Sequence, residues 1–188
     1  MRITPLSIHG AASVEFEKIT DDRGFFARAW CEQEFRHHGL NPRVSQVNFS
    51  HNTSRGTIRG LHYQAPPHEE AKFVRCIRGA IFDVLIDIRP GSPTCGSWYG
   101  EELSASNRRM LYVPEGCAHG YLALEDDTEV LYQVSQPYVP GVEKGIRYDD
   151  PAFNISWPCD VTVVSDKDRG WPDFEMPSDP HAVRSSSH

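Results

Sequence analysis

The chain lacks several features that would place it in a common class of protein. Positive charge is scarce: 19 Lys and Arg face 26 Asp and Glu, giving a net charge of −7, which argues against general affinity for nucleic acid or anionic membranes. No apolar run is long enough to span a bilayer, and the segment MRITPLSIHG does not predict a signal peptide. The five cysteines are widely spaced without a CxxC pair, so neither a disulfide framework nor a zinc knuckle is predicted, and a reducing cytoplasm is expected.

What the chain does have is many short β-branched or aromatic segments separated by Gly and Pro. Strands are predicted at FVRCIR, AIFDVLIDIR, RMLYVP and EVLYQVS, and one helix at Trp30–His38 with Gly39 as its C-cap. Many short strands favour a β-sandwich or barrel over a βαβ fold. We therefore predict one all-β domain over residues 1–176, with a few short helices, followed by a flexible polar tail at 177–188.

The segment PEGCAHG has the spacing PxGxxH and resembles the second motif of the cupin superfamily, in which the histidine often binds a metal. The first cupin motif normally supplies HxH, but here LHYQ places Gln64 where the second histidine would be. A site with two histidines and one carboxylate would have to use His62, His119 and an acid such as Glu69. The missing histidine argues against a metal. His119 is otherwise a hydrogen-bonded barrel residue or a donor to an anionic substrate.

Basic residues are concentrated in one stretch of this acidic chain, RGTIRGLHYQAPPHEEAKFVR. A lysine that enters an apolar strand, such as Lys72, is costly to bury unless it meets an anion. If Arg59 and His62 converge with it at the mouth of a barrel, the three favour a negatively charged ligand or intermediate. Taken singly, each is more simply a surface or structural residue.

Two tyrosines, Tyr132 and Tyr138, lie six residues apart in EVLYQVSQPYVP, and Pro137 is expected to end the strand between them. Tyrosines in strands usually belong to the core or rim. In a polar interior, however, a tyrosine can donate a proton or stack on a flat ring.

Taken together, the motifs resemble the dTDP-4-dehydrorhamnose 3,5-epimerase family, from about Phe16 to Phe174. They are DDRGFF, QVNFSHN, GTIRGLHYQ, KFVRCIRGAIFDVLIDIR, LYVPEGCAHGYL, YQVSQPY, RYDDPAFNISWP and SDKDRGWP. The resemblance implies a cupin-like jelly-roll β-sandwich, an intertwined homodimer, and an isomerase of deoxysugar biosynthesis that needs no metal or other cofactor. The implied substrate is a nucleotide-linked 4-keto-6-deoxy sugar, epimerised at C3, C5 or both.

The resemblance also implies the catalytic roles. His62 matches the base that removes a proton beside the ketone, and Asp168 matches the acid that orients it. Lys72 matches the cation near the enolate oxygen. Tyr132 matches the donor that returns a proton from the opposite face. Asp83 lies where the family has an acid, with a supporting role at most.

The substrate-binding residues implied by the resemblance are more numerous. The implied contacts to the pyrophosphate are Arg59, His119 and Lys167, and Arg23 lies at the nucleotide end. The implied contacts to the nucleotide sugar are Gln46, Asn48 and Glu143. Tyr138 stacks on the base.

One position departs from the family pattern: Arg28 stands where RGxFxE has a glutamate. A glutamate can accept a hydrogen bond from a thymine imide, whereas an arginine can only donate. This leaves the identity of the base open. Two other functions stay open at this point: a metal-dependent cupin oxygenase or isomerase, and a non-catalytic module that binds sugar nucleotides.

Overall fold

A computed structural model describes residues 1–176, so the prediction of a flexible tail at 177–188 lies outside the described residues. Residues 1–176 contain thirteen strands and two short helices. These are β1 Arg2–Pro5, β2 Ala12–Glu15, β3 Lys18–Asp21, β4 Gly24–Ala27, α1 Glu32–His37, β5 Gln46–Asn52, β6 Ile58–Gln64, β7 Lys72–Arg78, β8 Ala80–Asp87, β9 Trp98–Ser104, β10 Met110–Val113, β11 Cys117–Ala123, β12 Thr128–Val134, β13 Glu143–Gly145 and α2 Asp166–Arg169. The four strands predicted from short apolar segments are confirmed as β7, β8, β10 and β12.

The strands form two antiparallel sheets with the order β1-β2-β10-β7-β12-β5 and β13-β6-β11-β8-β9, and a separate hairpin of β3 and β4. Between β5 and β12 the pairing is nested: β5 pairs with β12, β6 with β11, β7 with β10, and β8 with β9. This is the connectivity of a jelly roll, in which one long antiparallel ribbon folds over into two sheets. The predicted all-β, cupin-like sandwich is therefore confirmed.

The main core lies between the two sheets because alternate residues of each strand point inward. Both sheets contribute to one buried cluster, whose members are Ile8, Ala11, Val74, Cys76, Ile81, Leu85, Leu103, Leu111, Val113, Cys117, Tyr121 and Val130. This packing holds the strands that carry the polar cavity described below.

Helix α1 covers part of the outer face of the six-stranded sheet. Its buried Phe35 makes edge-on contacts with Phe73 and Tyr112. The helix is shorter than the predicted Trp30–His38, and it ends as expected: Gly39 has a φ of +71° and follows the C-cap. The backbone N–H of Leu40 donates to the carbonyl of Phe35 at 3.0 Å, which completes a Schellman motif.

The segment after β13 covers the outer face of the five-stranded sheet. A cluster there includes Ile146, Phe153 and the partly buried Trp157 and Phe174. Trp171 follows α2 and lies so close to Gly145 that a Cβ on this glycine would stand 2.0 Å from the indole nitrogen. The close contact holds α2 against the edge of the cavity. Among residues 1–176, no helix is both long and apolar enough to span a membrane.

Candidate active site

One cavity of about 630 Å³ opens between the two sheets. It is lined by strands from both sheets, including β13, and by helix α2. It contains all the catalytic and substrate-binding residues implied by the family resemblance except Arg23, namely Gln46, Asn48, Arg59, His62, Lys72, His119, Tyr132, Tyr138, Glu143, Lys167 and Asp168. The fold thus brings eleven predicted residues to one place, although they are distant in sequence.

The motif SDKD directs a buried carboxylate at His62. Ser165 caps α2 by accepting a hydrogen bond from the backbone N–H of Asp168 at 3.0 Å. Asp168 Oδ1 lies 2.5 Å from His62 Nε2, and Oδ2 accepts from the backbone N–H of Gly60 at 3.3 Å. Burial raises the pKa of Asp168, but the hydrogen bond with His62 and that from Gly60 outweigh burial and lower it. Asp168 is therefore ionised and can accept a hydrogen bond from Nε2–H of His62.

The other ring nitrogen of His62 faces a second carboxylate. Nδ1 lies 3.7 Å from Glu143 Oε1, and Glu143 Oε2 is in contact with the ammonium of Lys167. Glu143 raises the pKa of Lys167 through this hydrogen bond. His62 is thus flanked by a carboxylate on each side, one deep in the protein and one near the mouth.

The two motif histidines lie side by side on paired strands, with His119 in register with His62. Gly60 has a φ of +111°, and a Cβ there would stand 2.7 Å from the Cα of Gly120. The close approach of the two strands therefore explains why the motifs RGLHYQ and AHG contain glycine at these positions. His119 Nε2 lies 2.8 Å from Oδ1 of the buried Asp83, so Asp83 positions His119.

A metal site of the kind considered above is not assembled. Residues 1–176 contain no cluster of three His, Cys, Asp or Glu side chains arranged to hold a metal ion. Glu69 does not line the cavity. Gln64, in place of the second cupin histidine, is buried and connects loops: its amide donates to the carbonyls of His68 and Pro137.

Tyr132 stands on β12 in the six-stranded sheet, whereas His62 stands on β6 in the five-stranded sheet. The two side chains therefore reach the cavity from opposite walls. Burial raises the pKa of Tyr132, and nearby Tyr121 and Glu70 raise it further. The phenol keeps its proton near neutral pH, as a proton donor must.

Lys72 is buried at the start of β7. Its ammonium donates to the carbonyl of His62 at 3.2 Å and lies 3.3 Å from Glu70 Oε1. The sequence analysis missed Glu70, which also accepts from the side chain of Gln64 at 3.2 Å. Its spacing, two residues before Lys72, is the signal that could have found it, because alternate residues of an extended segment share a face.

The wider part of the cavity carries polar and cationic groups. Arg59 is held by Asn52 Oδ1 at 2.8 Å and by the carbonyl of His51 at 3.0 Å. Tyr121, which the sequence analysis also missed, hydrogen-bonds Ser50 at 2.6 Å. Ser50 continues the alternation of Gln46 and Asn48 on β5, so its place in the wall follows from the strand period.

Two arginines of the N-terminal region lie elsewhere. Arg23 is at the turn of the β3–β4 hairpin, 89% exposed and paired with Asp21. Arg28 pairs with Glu34 at 3.1 Å. Neither lines the cavity of its own chain.

The chain is similar to known proteins over most of its length. The family model described as dTDP-4-dehydrorhamnose 3,5-epimerase matches residues 5–176. A dTDP-4-dehydrorhamnose 3,5-epimerase of Sinorhizobium fredii is 42% identical over 94% of this chain and 92% of its own length. A dTDP-4-dehydrorhamnose 3-epimerase of Streptomyces niveus is 38% identical over 90% of this chain and 82% of its own. The crystal structure of dTDP-4-dehydrorhamnose 3,5-epimerase from Elizabethkingia anophelis superposes with a TM-score of 0.90 at 34% identity, covering 93% of this chain and 96% of that chain.

Proposed function

Because the chain belongs to the dTDP-4-dehydrorhamnose 3,5-epimerase family, we propose that it epimerises a dTDP-linked 4-keto-6-deoxy sugar in deoxysugar biosynthesis. The ketone at C4 acidifies the protons on C3 and C5. Epimerisation at either carbon needs a base on one face of the sugar, a stabilised enolate, and an acid on the other face. Relatives that act at C3 alone and at both carbons are similar to this chain, so the proposal covers inversion at C3, C5 or both.

The observation that supports this function most strongly is the placement of His62 and Tyr132 on opposite walls of one cavity. We assign His62 as the base, since Asp168 holds one ring nitrogen and leaves the other to take a proton. Tyr132 is the acid, since burial keeps its phenol protonated. A site that only binds sugar nucleotides needs neither group.

The charges in the cavity suit an anionic substrate and an anionic intermediate. We assign Lys72 to the enolate oxygen, where a fixed cation is worth about 3 kcal/mol, by analogy with an oxyanion-hole donor. Arg59, His119 and Lys167 would contact the pyrophosphate, and Tyr138, which is 56% exposed, would stack on the base. No step requires a metal or other cofactor.

A direct test of this function is to incubate the protein, before and after washing with a chelator, with dTDP-4-keto-6-deoxyglucose. We expect equal epimerisation in both samples. Turnover that needs restored iron, manganese or zinc would favour a metal-dependent cupin. Binding of thymidine diphosphate without any hydrogen exchange into the sugar would favour a binding module.

We also propose that the protein is a homodimer. Strand β5 is the edge of its sheet, and on its outward face Val47 and Phe49 are both 56% exposed. The β3–β4 hairpin also exposes apolar residues, Ile19 and Phe26, each 69% exposed. Exposed apolar edges of this kind are normally covered. A second copy would cover both, and the exchanged hairpin would bring Arg23 to the partner's nucleotide site.

A cytoplasmic location fits this biosynthetic role.

The dimer is tested by replacing Phe49 with glutamate. A charge buried in an apolar interface is destabilising, so sedimentation should shift from twice the chain mass towards the single chain. Met176→Glu, at an exposed apolar residue that lies against Gly96 and outside β5, is the matched control and should sediment as the unaltered protein. A wild-type chain that sediments as a monomer would contradict the proposal.

A further inference from the structure

Epimerisation by two groups leaves both in the wrong protonation state. The C–H bond of the sugar breaks, its electron pair forms the enolate, and the proton goes to His62. The O–H bond of Tyr132 then breaks, its proton forms the new C–H bond on the other face, and C4 becomes a ketone again. His62 is left with one proton too many and Tyr132 with one too few. Before the next inversion the enzyme must move a proton from His62 to solvent, and Tyr132 must take a proton from solvent.

The structure determines which nitrogen carries this proton. His62 Nε2 is 2.5 Å from Asp168, so the proton from the sugar arrives at Nδ1. Of the carboxylates within residues 1–176, Glu143 is the one within 4 Å of Nδ1, at 3.7 Å. This distance is slightly longer than a hydrogen bond, and a small side-chain rotation would bring the two atoms within hydrogen-bond distance.

Exposure separates the two carboxylates that flank His62. The side chain of Asp168 is 6% exposed and already accepts from Gly60 as well as His62. Glu143 is 19% exposed and contacts Lys167, which is 52% exposed. His62 is itself 26% exposed, and of its two carboxylate neighbours Glu143 lies on the side of the cavity mouth, whereas Asp168 lies on the side of the protein interior. The third carboxylate of the cavity, Glu70, is engaged by Lys72 and Gln64.

We propose that Glu143 is the proton-exit residue of His62: it accepts the proton from Nδ1 after each abstraction and releases it to solvent at the mouth of the cavity. This inference rests on the proposed epimerase function. It differs from the role that the family resemblance implies for Glu143, which is a polar contact to the nucleotide sugar. The ammonium of Lys167 contacts Glu143 and holds its carboxylate between His62 and the mouth of the cavity.

The test is Glu143→Gln, which keeps the size of the side chain but cannot carry the proton. If Glu143 is the exit, kcat should fall about tenfold or more while KM changes by less than about threefold. Added formate, at constant pH and ionic strength, should restore kcat in proportion to its concentration, because a free carboxylate can take the proton instead. Glu143→Asp should keep most of the activity, and Glu69→Gln, whose carboxylate lies outside the cavity, should match the wild type.

The outcomes separate this inference from the function on which it rests. A higher KM with unchanged kcat in Glu143→Gln would overturn it in favour of a binding contact. A lower kcat that formate does not restore would also overturn it, since a merely structural loss is not rescued by a free carboxylate. Absence of epimerisation by the wild-type protein would instead contradict the proposed function itself.

Discussion

Tyr132→Phe should abolish inversion of the sugar but leave exchange of its C3 or C5 hydrogen with solvent. His62 still removes the proton, and the imidazolium exchanges its proton with solvent. The enolate then receives solvent hydrogen back from His62 on the original face. Inversion should fall by about 10²- to 10⁴-fold, the usual contribution of a positioned acid, while deuterium uptake in deuterated water stays within about tenfold of the wild type.

The matched control for this variant is Tyr63→Phe. Tyr63 follows His62 on β6 and packs in the apolar cluster behind the sheet rather than in the cavity, so the variant should invert at the wild-type rate. Proton NMR follows both exchange and inversion in the same sample. Full inversion by Tyr132→Phe would show that another group donates the proton.

His62→Ala should abolish both exchange and inversion, since no base remains to form the enolate. We expect a loss of about 10²- to 10⁴-fold in each, with retained binding of thymidine diphosphate as evidence that the cavity is intact. The Tyr132 variant should exchange hydrogen without inverting the sugar, whereas the His62 variant should do neither. This difference distinguishes the base from the acid.

His51→Ala is the control for the His62 variant. His51 lies on β5, which lines the cavity, but its side chain is 44% exposed and pairs with Asp127. Its backbone carbonyl, which holds Arg59, is unchanged by the substitution. Wild-type turnover is expected for this control. Persistent exchange in His62→Ala would mean that another residue is the base.

Physical patterns in the sequence predicted the fold, and the family resemblance predicted most of the cavity. Short β-branched segments between Gly and Pro predicted the strands, and their inward faces necessarily form a core. The motif SDKD placed a capping serine three residues before Asp168, which directs that carboxylate at His62. Family resemblance, rather than spacing, linked residues as distant as His62 and Asp168.

The rest depended on tertiary packing. Tyr121 lines the cavity because of where β11 lies in its sheet, and no local pattern distinguishes it from a core residue. The contact between Glu143 and His62 Nδ1 depends on β13 pairing with β6, which places a residue 81 positions later beside the base. The three-residue length of β13 gives too little alternation for this pairing to be predicted.

The measurement that tests the central claim most directly is a single turnover of protiated dTDP-4-keto-6-deoxyglucose by enzyme equilibrated in deuterated water, with C3 and C5 resolved by NMR. If His62 removes the proton on one face and Tyr132 supplies another on the opposite face, every inverted carbon must carry deuterium. Retention of the original proton at an inverted carbon would mean that one group moves it between faces, and would contradict the account.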